Sequence, residues 1–192
     1  MAKTLLLMRH GKSSWKDKSL PDKERPLKKR GAVASANIGE ILTENELVPQ
    51  AILSSPALRA SQTAEIVAKV CDFSNKITYV DSFYMGEPND FFKYLRSLDD
   101  RIERVLIIAH NPGLEALMQV LDGKIDALPT SAMAYISLEI NHWSDLGSET
   151  NGELVGFWDP EKEEEAEKEK EMGKDKKDKK DKKEKKEKKD KK

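Results

Sequence analysis

Cysteine and long apolar runs are what this sequence has least of. Cys71 is the single cysteine among 192 residues, so no disulfide can form within the chain, as is typical of proteins from a reducing compartment. No stretch approaches the roughly 20 apolar residues of a membrane-spanning helix. The apolar run at residues 5–8 is too short for a signal peptide. We therefore expect a cytoplasmic protein that has no membrane partner.

Charge is abundant in the chain, but it is unevenly distributed. Residues 161–192 contain 16 Lys and 13 Asp or Glu, and they lack Leu, Ile, Val and aromatic residues. Such a segment cannot bury a core, so we expect a disordered low-complexity tail. Residues 1–160 then form one domain of ordinary size. We expect the tail to be a solubilising extension, and the alternative is weak attraction to nucleic acid or acidic partners. No specific nucleic-acid partner is predicted.

Short apolar runs alternate with amphipathic segments along residues 1–160. The runs are typical of strands buried on both faces of a parallel sheet. Predicted strands lie at 5–8, 51–53, 77–80 and 105–109, each followed by a helix, and one or two further strands lie near 133–140 and 154–158. Helices are predicted from Leu27 to about Asn45 and from Pro56, with Ser55 as its N-cap. This order predicts an α/β three-layer sandwich, a mainly parallel sheet with helices on both faces.

Basic side chains and imidazoles follow three of the predicted strands. Arg9 and His10 come directly after the first strand, Arg59 lies in the first turn of the second helix, and His110 follows the fourth strand. Because ligands bind beyond the carboxyl ends of parallel strands, we expect these side chains to meet around an anion. Arginine donates in pairs to phosphate oxygens. Two histidines suggest that one attacks and the other stabilises charge or carries a proton.

Other interpretations of these residues are weaker. Taken singly, His110 is compatible with a helix cap and Arg59 with a surface arginine. Residues 11–13, Gly-Lys-Ser, resemble the end of a nucleotide-binding loop, but Leu6 stands where that motif requires glycine. A metal site is a poor alternative, because His142 is the only other histidine and lies in a polar turn. We expect neither a metal nor a cofactor.

Three motifs carry a family resemblance. Residues 9–11 (Arg-His-Gly), 55–63 (Ser-Pro-Ala-Leu-Arg-Ala-Ser-Gln-Thr) and 110–112 (His-Asn-Pro) resemble the signature of the histidine phosphatase superfamily, which includes phosphoglycerate mutases and acid phosphatases. Residues 10–15 (His-Gly-Lys-Ser-Ser-Trp), 25–27 (Arg-Pro-Leu) and 30–31 (Arg-Gly) resemble the short phosphohistidine phosphatases of the SixA type. The resemblance covers about residues 3–140 and implies a phosphoglycerate mutase-like fold.

The resemblance also implies roles for individual residues. His10 would be the nucleophile that is transiently phosphorylated, while Arg9, Arg59 and His110 would hold the phosphoryl oxygens. Arg25 would add a cationic contact. The remaining assignments are substrate binding for Lys12 and Ser13, and a possible general acid in Glu87, with Asp81 as a second candidate.

The implied function is hydrolysis of phosphohistidine on a protein, in signal transduction and without a metal. A SixA-like enzyme is thought to need no strong acid, because a phosphoramidate nitrogen leaves more easily than an alkoxide. The alternatives are a small-molecule phosphomonoesterase with the same machinery and an inactive phosphate-binding module. A body of about 160 residues leaves little for a lid, which favours a protein substrate.

Overall fold

A six-stranded mixed sheet forms the centre of the protein, as seen in a computed structural model that describes residues 2–123, 127–160 and 162. The strands are β1 (Lys3–Arg9), β2 (Ala51–Ser54), β3 (Thr78–Tyr79), β4 (Arg104–Ala109), β5 (Met133–Leu138) and β6 (Gly152–Trp158). Their order in the sheet is β3-β2-β4-β1-β5-β6. The first four strands pair in parallel, whereas β5 and β6 pair antiparallel.

Helices cover both faces of this sheet. They are α1 (Lys29–Glu44), α2 (Leu58–Val70), α3 (Pro88–Leu95) and α4 (Gly113–Asp122). Single 3-10 turns occur at Asp22–Glu24, Asp81–Phe83 and Trp143–Asp145.

The two apolar layers follow from the alternation of side chains along the central strands. Leu5 and Leu7 of β1 belong to one core cluster, and Leu6 and Met8 belong to the other. Because successive side chains of a strand point to opposite faces, an unbroken apolar run fills both layers. The first cluster also contains residues of α3 and α4, and the second contains residues of α1 and α2. The predicted three-layer α/β architecture is thereby confirmed.

Two predicted helix starts are wrong by a few residues. Helix α1 begins at Lys29 rather than at Leu27, because Leu27 instead pairs with Ser13 in an isolated antiparallel bridge. Helix α2 has Ala57 as its N-cap, and Leu58 is its first residue. Ser55 therefore precedes the cap, and its hydroxyl is directed to another partner described below.

Strand order brings three chain segments to one edge of the sheet. β4 lies between β1 and β2, so the residues after all three strands are neighbours. The amide of His10 donates to the carbonyl of Ala109 at 3.1 Å, and the amide of Ser55 donates to the carbonyl of Ile108 at 2.9 Å. These bonds fix the residues that follow β1 and β2 against the end of β4.

Beyond the sheet, the chain divides into one unit over Met1–Asp159 and a second over Pro160–Lys192. The predicted charged tail lies outside the described residues, apart from Lys162, so its boundary stays a prediction. Within the described ranges, no helix is long and apolar enough to cross a membrane.

Candidate active site

His10 lies at the end of β1 with only 8% of its surface exposed. Its Nδ1 is 2.8 Å from the carbonyl oxygen of Gly11, and its Nε2 is 3.3 Å from Nε of Arg59. A guanidinium has donors and no acceptor, so Nε2 must present its lone pair to Arg59. The ring proton then sits on Nδ1 and is donated to Gly11. This tautomer leaves the lone pair of the ring on Nε2.

His110 adopts the opposite tautomer for the same reason. Its Nδ1 is 3.3 Å from Nη2 of Arg59, so Nδ1 carries the lone pair. Its Nε2 is 2.8 Å from Oγ of Ser55 and therefore donates to that hydroxyl. The ring centroids of His10 and His110 are 4.9 Å apart. One arginine thus donates to two neighbouring neutral imidazoles.

Burial and positive charge keep both rings neutral. The pKa of His10 is lowered from 6.5 to about 4 by burial, with Arg59 and Arg9 lowering it further against the hydrogen bond to Gly11. Burial also lowers the pKa of His110 to about 3, with added repulsion from His10 and Arg59. Burial disfavours the charged imidazolium, and nearby cations disfavour it again. At neutral pH His10 is therefore a neutral imidazole, which is the form that a nucleophile requires.

The loop after β1 is held by small residues and by α2. The amide of Gly11 donates to Oγ1 of Thr63 at 3.0 Å, and the Thr63 hydroxyl donates to the carbonyl of Arg59 at 2.7 Å. A Cβ atom on Gly31 of α1 would stand 2.5 Å from the backbone of Lys12. Glycine is therefore required where α1 packs against the loop that carries His10.

Asp22 is a site residue that the sequence analysis missed. Its carboxylate accepts hydrogen bonds from Arg25 Nη1 at 2.7 Å, Arg59 Nη2 at 2.9 Å and the Tyr84 hydroxyl at 2.9 Å. Its backbone carbonyl accepts from Arg59 Nη1 at 2.6 Å. Partial burial raises the pKa of Asp22, but the hydrogen bonds from Arg25, Tyr84 and Arg59 lower it to about 2 overall. Asp22 is therefore ionised at any pH near neutrality.

Arg25 connects the 3-10 turn of Asp22 to the loop after His10. Its Nη2 donates to Oγ of Ser13 at 2.6 Å, and its Nε donates to the carbonyl of Ser14 at 3.1 Å. The guanidinium lies 3.2 Å from the ring centroid of Trp15, a stacking arrangement that arginine favours on aromatic faces.

A cavity of about 220 Å³ opens beside these residues. It is lined by Arg9, His10, Lys12, Ser13, Trp15, Arg25, Arg59 and Thr130. The structure thus brings together all the predicted nucleophile and phosphate-binding residues except His110, and His110 contacts them through Arg59. The cavity is polar and strongly basic, which suits a tetrahedral oxyanion.

The predicted acid, Glu87, is placed differently. Glu87 is exposed at the N-cap of α3, and its amide donates to Asp90 at 2.9 Å. Across the part of the chain that the structure describes, no hydrogen bond joins its side chain to the residues of the cavity or to His110. Asp81 is likewise exposed, in its own 3-10 turn. A role as general acid stays a prediction for both.

The sequence profile of the histidine phosphatase superfamily (branch 1) matches residues 5–82. An uncharacterized chloroplastic protein of Arabidopsis thaliana is 31% identical over 154 residues, which cover 76% of this chain and 71% of the relative. The chain belongs to the histidine phosphatase superfamily. The resemblance noted in the sequence is thereby confirmed.

Solved structures place this member of the superfamily close to SixA proteins in fold. The protein histidine phosphatase SixA complexed with tungstate has a TM-score of 0.70 and 25% identity, covering 82% of this chain and 97% of the neighbour. A structure described as the phosphohistidine phosphatase SixA of Agrobacterium tumefaciens has a TM-score of 0.71 and 22% identity, covering 83% and 99%. The predicted phosphoglycerate mutase-like fold is therefore confirmed.

Sequence reasoning does not find three residues of the candidate site, namely Ser55, Asp22 and Tyr84. The sequence favours Ser55 as a helix cap, although its place after the second strand puts it at the same edge as Arg59 and His110. Asp22 lies four residues before Pro26 in a polar loop with no periodicity. Tyr84 lies in a loop whose approach to Asp22 depends on tertiary packing. Of these three residues, only Ser55 occupies a position from which the sequence could predict a place in the site.

Proposed function

We propose that this protein is a phosphatase that removes the phosphoryl group from phosphohistidine on a protein, through a phosphohistidine intermediate on His10. The observation that carries the proposal is the lone pair of His10 Nε2, which faces Arg59 inside a basic cavity. A buried, neutral imidazole beside fixed guanidinium groups is suited to phosphoryl transfer, which depends on positioning and charge stabilisation.

In the first step the phosphoryl group enters the cavity and replaces the contact between Arg59 and His10. The Nε2 lone pair forms the new P–N bond as the P–N bond of the substrate breaks. The electron pair of the broken bond stays on the nitrogen of the departing imidazole. Arg9, Arg25 and Arg59 donate to the phosphoryl oxygens in place of their present partners, with His110 beside them.

In the second step water completes the hydrolysis. The oxygen of water bonds to phosphorus and the P–Nε2 electron pair returns to His10. One proton of the water passes to solvent, and the other stays on the phosphate product. Gly11 holds the Nδ1 proton throughout, so His10 departs as neutral imidazole and never as an anion. Two displacements thus replace one difficult reaction.

The preference for a P–N bond rests on the carboxylate that contacts the site. Asp22 is the carboxylate that binds Arg25 and Arg59, and its pKa of about 2 leaves it without a proton to donate near neutral pH. Departure of an alkoxide from a phosphate monoester needs a proton donor, whereas departure of an imidazole that already carries a ring proton does not. This difference favours phosphohistidine over the alternative, a small-molecule phosphomonoesterase.

We further propose that the enzyme acts in the cytoplasm on a phosphohistidine protein in signalling. Residues 161–192 would form the charged tail described above.

The enzyme is also proposed to need no metal ion. The guanidinium groups supply positive charge at the phosphoryl site, so turnover should survive EDTA. Loss of activity on chelation, with recovery on adding a divalent cation, would contradict this part of the proposal.

The substrate class is tested by comparing turnover of a phosphohistidine protein, a phosphohistidine peptide and several phosphate monoesters. We expect the two phosphohistidine substrates to have the larger kcat/KM. A preference for a monoester supports the phosphomonoesterase instead, and binding of phosphate without turnover of any substrate supports an inactive binding module.

A further inference from the structure

The carboxylate of Asp22 stands between the buried Arg59 and solvent. Its side chain is 44% exposed, whereas the side chain of Arg59 is 7% exposed. A carboxylate has about four acceptor positions. Three are occupied in the described part of the chain, one on Oδ1 by Arg25 and two on Oδ2 by Arg59 and Tyr84. One position on Oδ1 therefore remains for a donor that enters from solvent.

In the first displacement, the leaving imidazole lies on the solvent side of the phosphoryl group. Phosphoryl transfer places the attacking and leaving atoms roughly in line on opposite sides of phosphorus. His10 attacks from within the protein, where it is nearly buried, so the departing ring lies toward solvent. Two exposed residues, Lys12 and Trp15, line the cavity there, and Trp15 has Arg25 against its ring. Asp22 is also exposed, and it adjoins the cavity through its ion pairs with Arg25 and Arg59.

Transfer of a phosphoryl group from one imidazole to another is chemically symmetric, so both rings have the same requirement. An imidazole departs as a neutral molecule only if its second nitrogen keeps a proton. In His10 the second nitrogen is Nδ1, whose N–H donates to the carbonyl of Gly11 at 2.8 Å. The substrate ring needs an equivalent acceptor on the solvent side of the cavity.

We propose that Asp22 is this acceptor: its carboxylate binds the ring N–H of the substrate's phosphohistidine and thereby selects P–N over P–O substrates. The inference rests on the proposed function and assigns a specificity-determining residue to it. The hydrogen bond holds the substrate ring in its protonated form. When the P–N bond breaks, its electron pair stays on the departing nitrogen, the other ring nitrogen keeps its proton, and no proton passes to or from Asp22.

The surroundings keep Asp22 ionised for this task. Arg25 from its own turn, Arg59 from α2 and the Tyr84 hydroxyl all donate to it, and Lys23 lies 4.5 Å from the ring centroid of Tyr84. His10 and His110 also contact Arg59 and are neutral. The same carboxylate cannot accept a hydrogen bond from the leaving alkoxide of a monoester, because the alkoxide has no N–H.

The test compares two phosphoramidates that differ at one ring nitrogen, which carries a proton in the first and a methyl group in the second. Phosphoimidazole carries a ring N–H when protonated, whereas its N-methylated analogue is a permanent cation with no N–H. Both are assayed with the wild type, Asp22→Asn and Asp22→Glu, alongside p-nitrophenyl phosphate, with uncatalysed rates subtracted. Glu24→Gln, in the same turn and exposed, is the matched control.

We expect Asp22→Asn to lose kcat/KM on phosphoimidazole by about tenfold or more relative to the N-methylated analogue, the loss expected for one hydrogen bond to a charged group. The kcat for phosphoimidazole should begin to fall at a lower pH in the variant, because its bound ring loses the proton more readily. Asp22→Glu should recover part of the loss, and Glu24→Gln should match the wild type on every substrate.

Equal losses on all three substrates would overturn the inference, since Asp22 would then only position its arginines. An unchanged Asp22→Asn would overturn it as well. These failures differ from failure of the proposed function, which appears in the wild type itself as turnover of p-nitrophenyl phosphate without turnover of phosphoimidazole. That result removes both proposals together.

Discussion

At the scale of single residues, the chemistry depends on which nitrogen of His10 carries the proton. The geometry with Gly11 and Arg59 gives Nε2 the lone pair, and no other side chain of the cavity combines burial with an unprotonated nitrogen or oxygen nucleophile. We predict that His10→Ala folds normally and loses turnover completely. Acid-labile phosphate trapped on the wild type and absent from the variant is the measurement. His142→Ala is the control, because His142 is exposed and pairs with Asp100.

Trapping of the label on a serine or on Cys71 would contradict the His10 assignment. Equal trapping in His10→Ala and the wild type would contradict it too. Cys71 is buried, and burial raises the pKa of its thiol, so it is a poor competing nucleophile.

The pH dependence of activity should also be set by His10. The pKa of His10 is lowered from 6.5 to about 4, so the nucleophilic form persists well below the usual titration range of histidine. We predict that the enzyme's contribution to kcat/KM stays level as pH falls through about 6.5 and declines only near about pH 4. The measurement is a pH profile on an acid-stable phosphate monoester, in which the ionisation of the substrate's own phosphate, near about pH 6, is determined separately and divided out. A decline centred near 6.5 would show that His10 titrates as an ordinary exposed imidazole.

At the scale of elements, the strands were the part of the fold that sequence predicted best. An unbroken apolar run such as residues 5–8 fills both faces of a sheet, so it is visible without knowledge of neighbours. Helix starts were less accurate, because Leu27 and Ser55 take partners from distant segments. The ends of the predicted strands indicate the positions of Arg9, His10, Arg59 and His110 in the site. Asp22 reaches the site only through the folding of an irregular loop, which no sequence pattern predicts.

The contact between α1 and the loop after β1 gives an element-scale prediction. In an exposed helix, replacing glycine by alanine stabilises by about 1 kcal/mol. Gly31→Ala should do the reverse, because its Cβ would stand 2.5 Å from the amide nitrogen and the carbonyl oxygen of Lys12. We expect a lower melting temperature and a reduced kcat, since the displaced loop carries His10. Thermal unfolding and kinetics measure the two effects.

Gly39→Ala is the matched control in the same helix. Its Cβ would meet Val70 of α2 at 2.6 Å, a close contact with α2 and not with the loop after β1. We expect this variant to lose stability while the folded enzyme keeps its kcat. Equal losses of kcat in both variants would show that the packing of Gly31 has no particular connection to the site.

At the scale of the whole molecule, the remaining prediction concerns the charged segment from residue 161 onward. It contains no Leu, Ile, Val or aromatic residue and no candidate catalytic group, so we expect it to contribute almost nothing to the core. Cutting the chain after Pro160 should leave the melting temperature and the turnover of a small phosphoramidate nearly unchanged. Any effect should appear only with large charged partners. It should weaken from low to physiological salt, because exposed charges are screened beyond about 8–10 Å. A fall of several degrees in melting temperature, or a severalfold slower turnover of the small substrate, would place the boundary of the folded domain beyond Pro160.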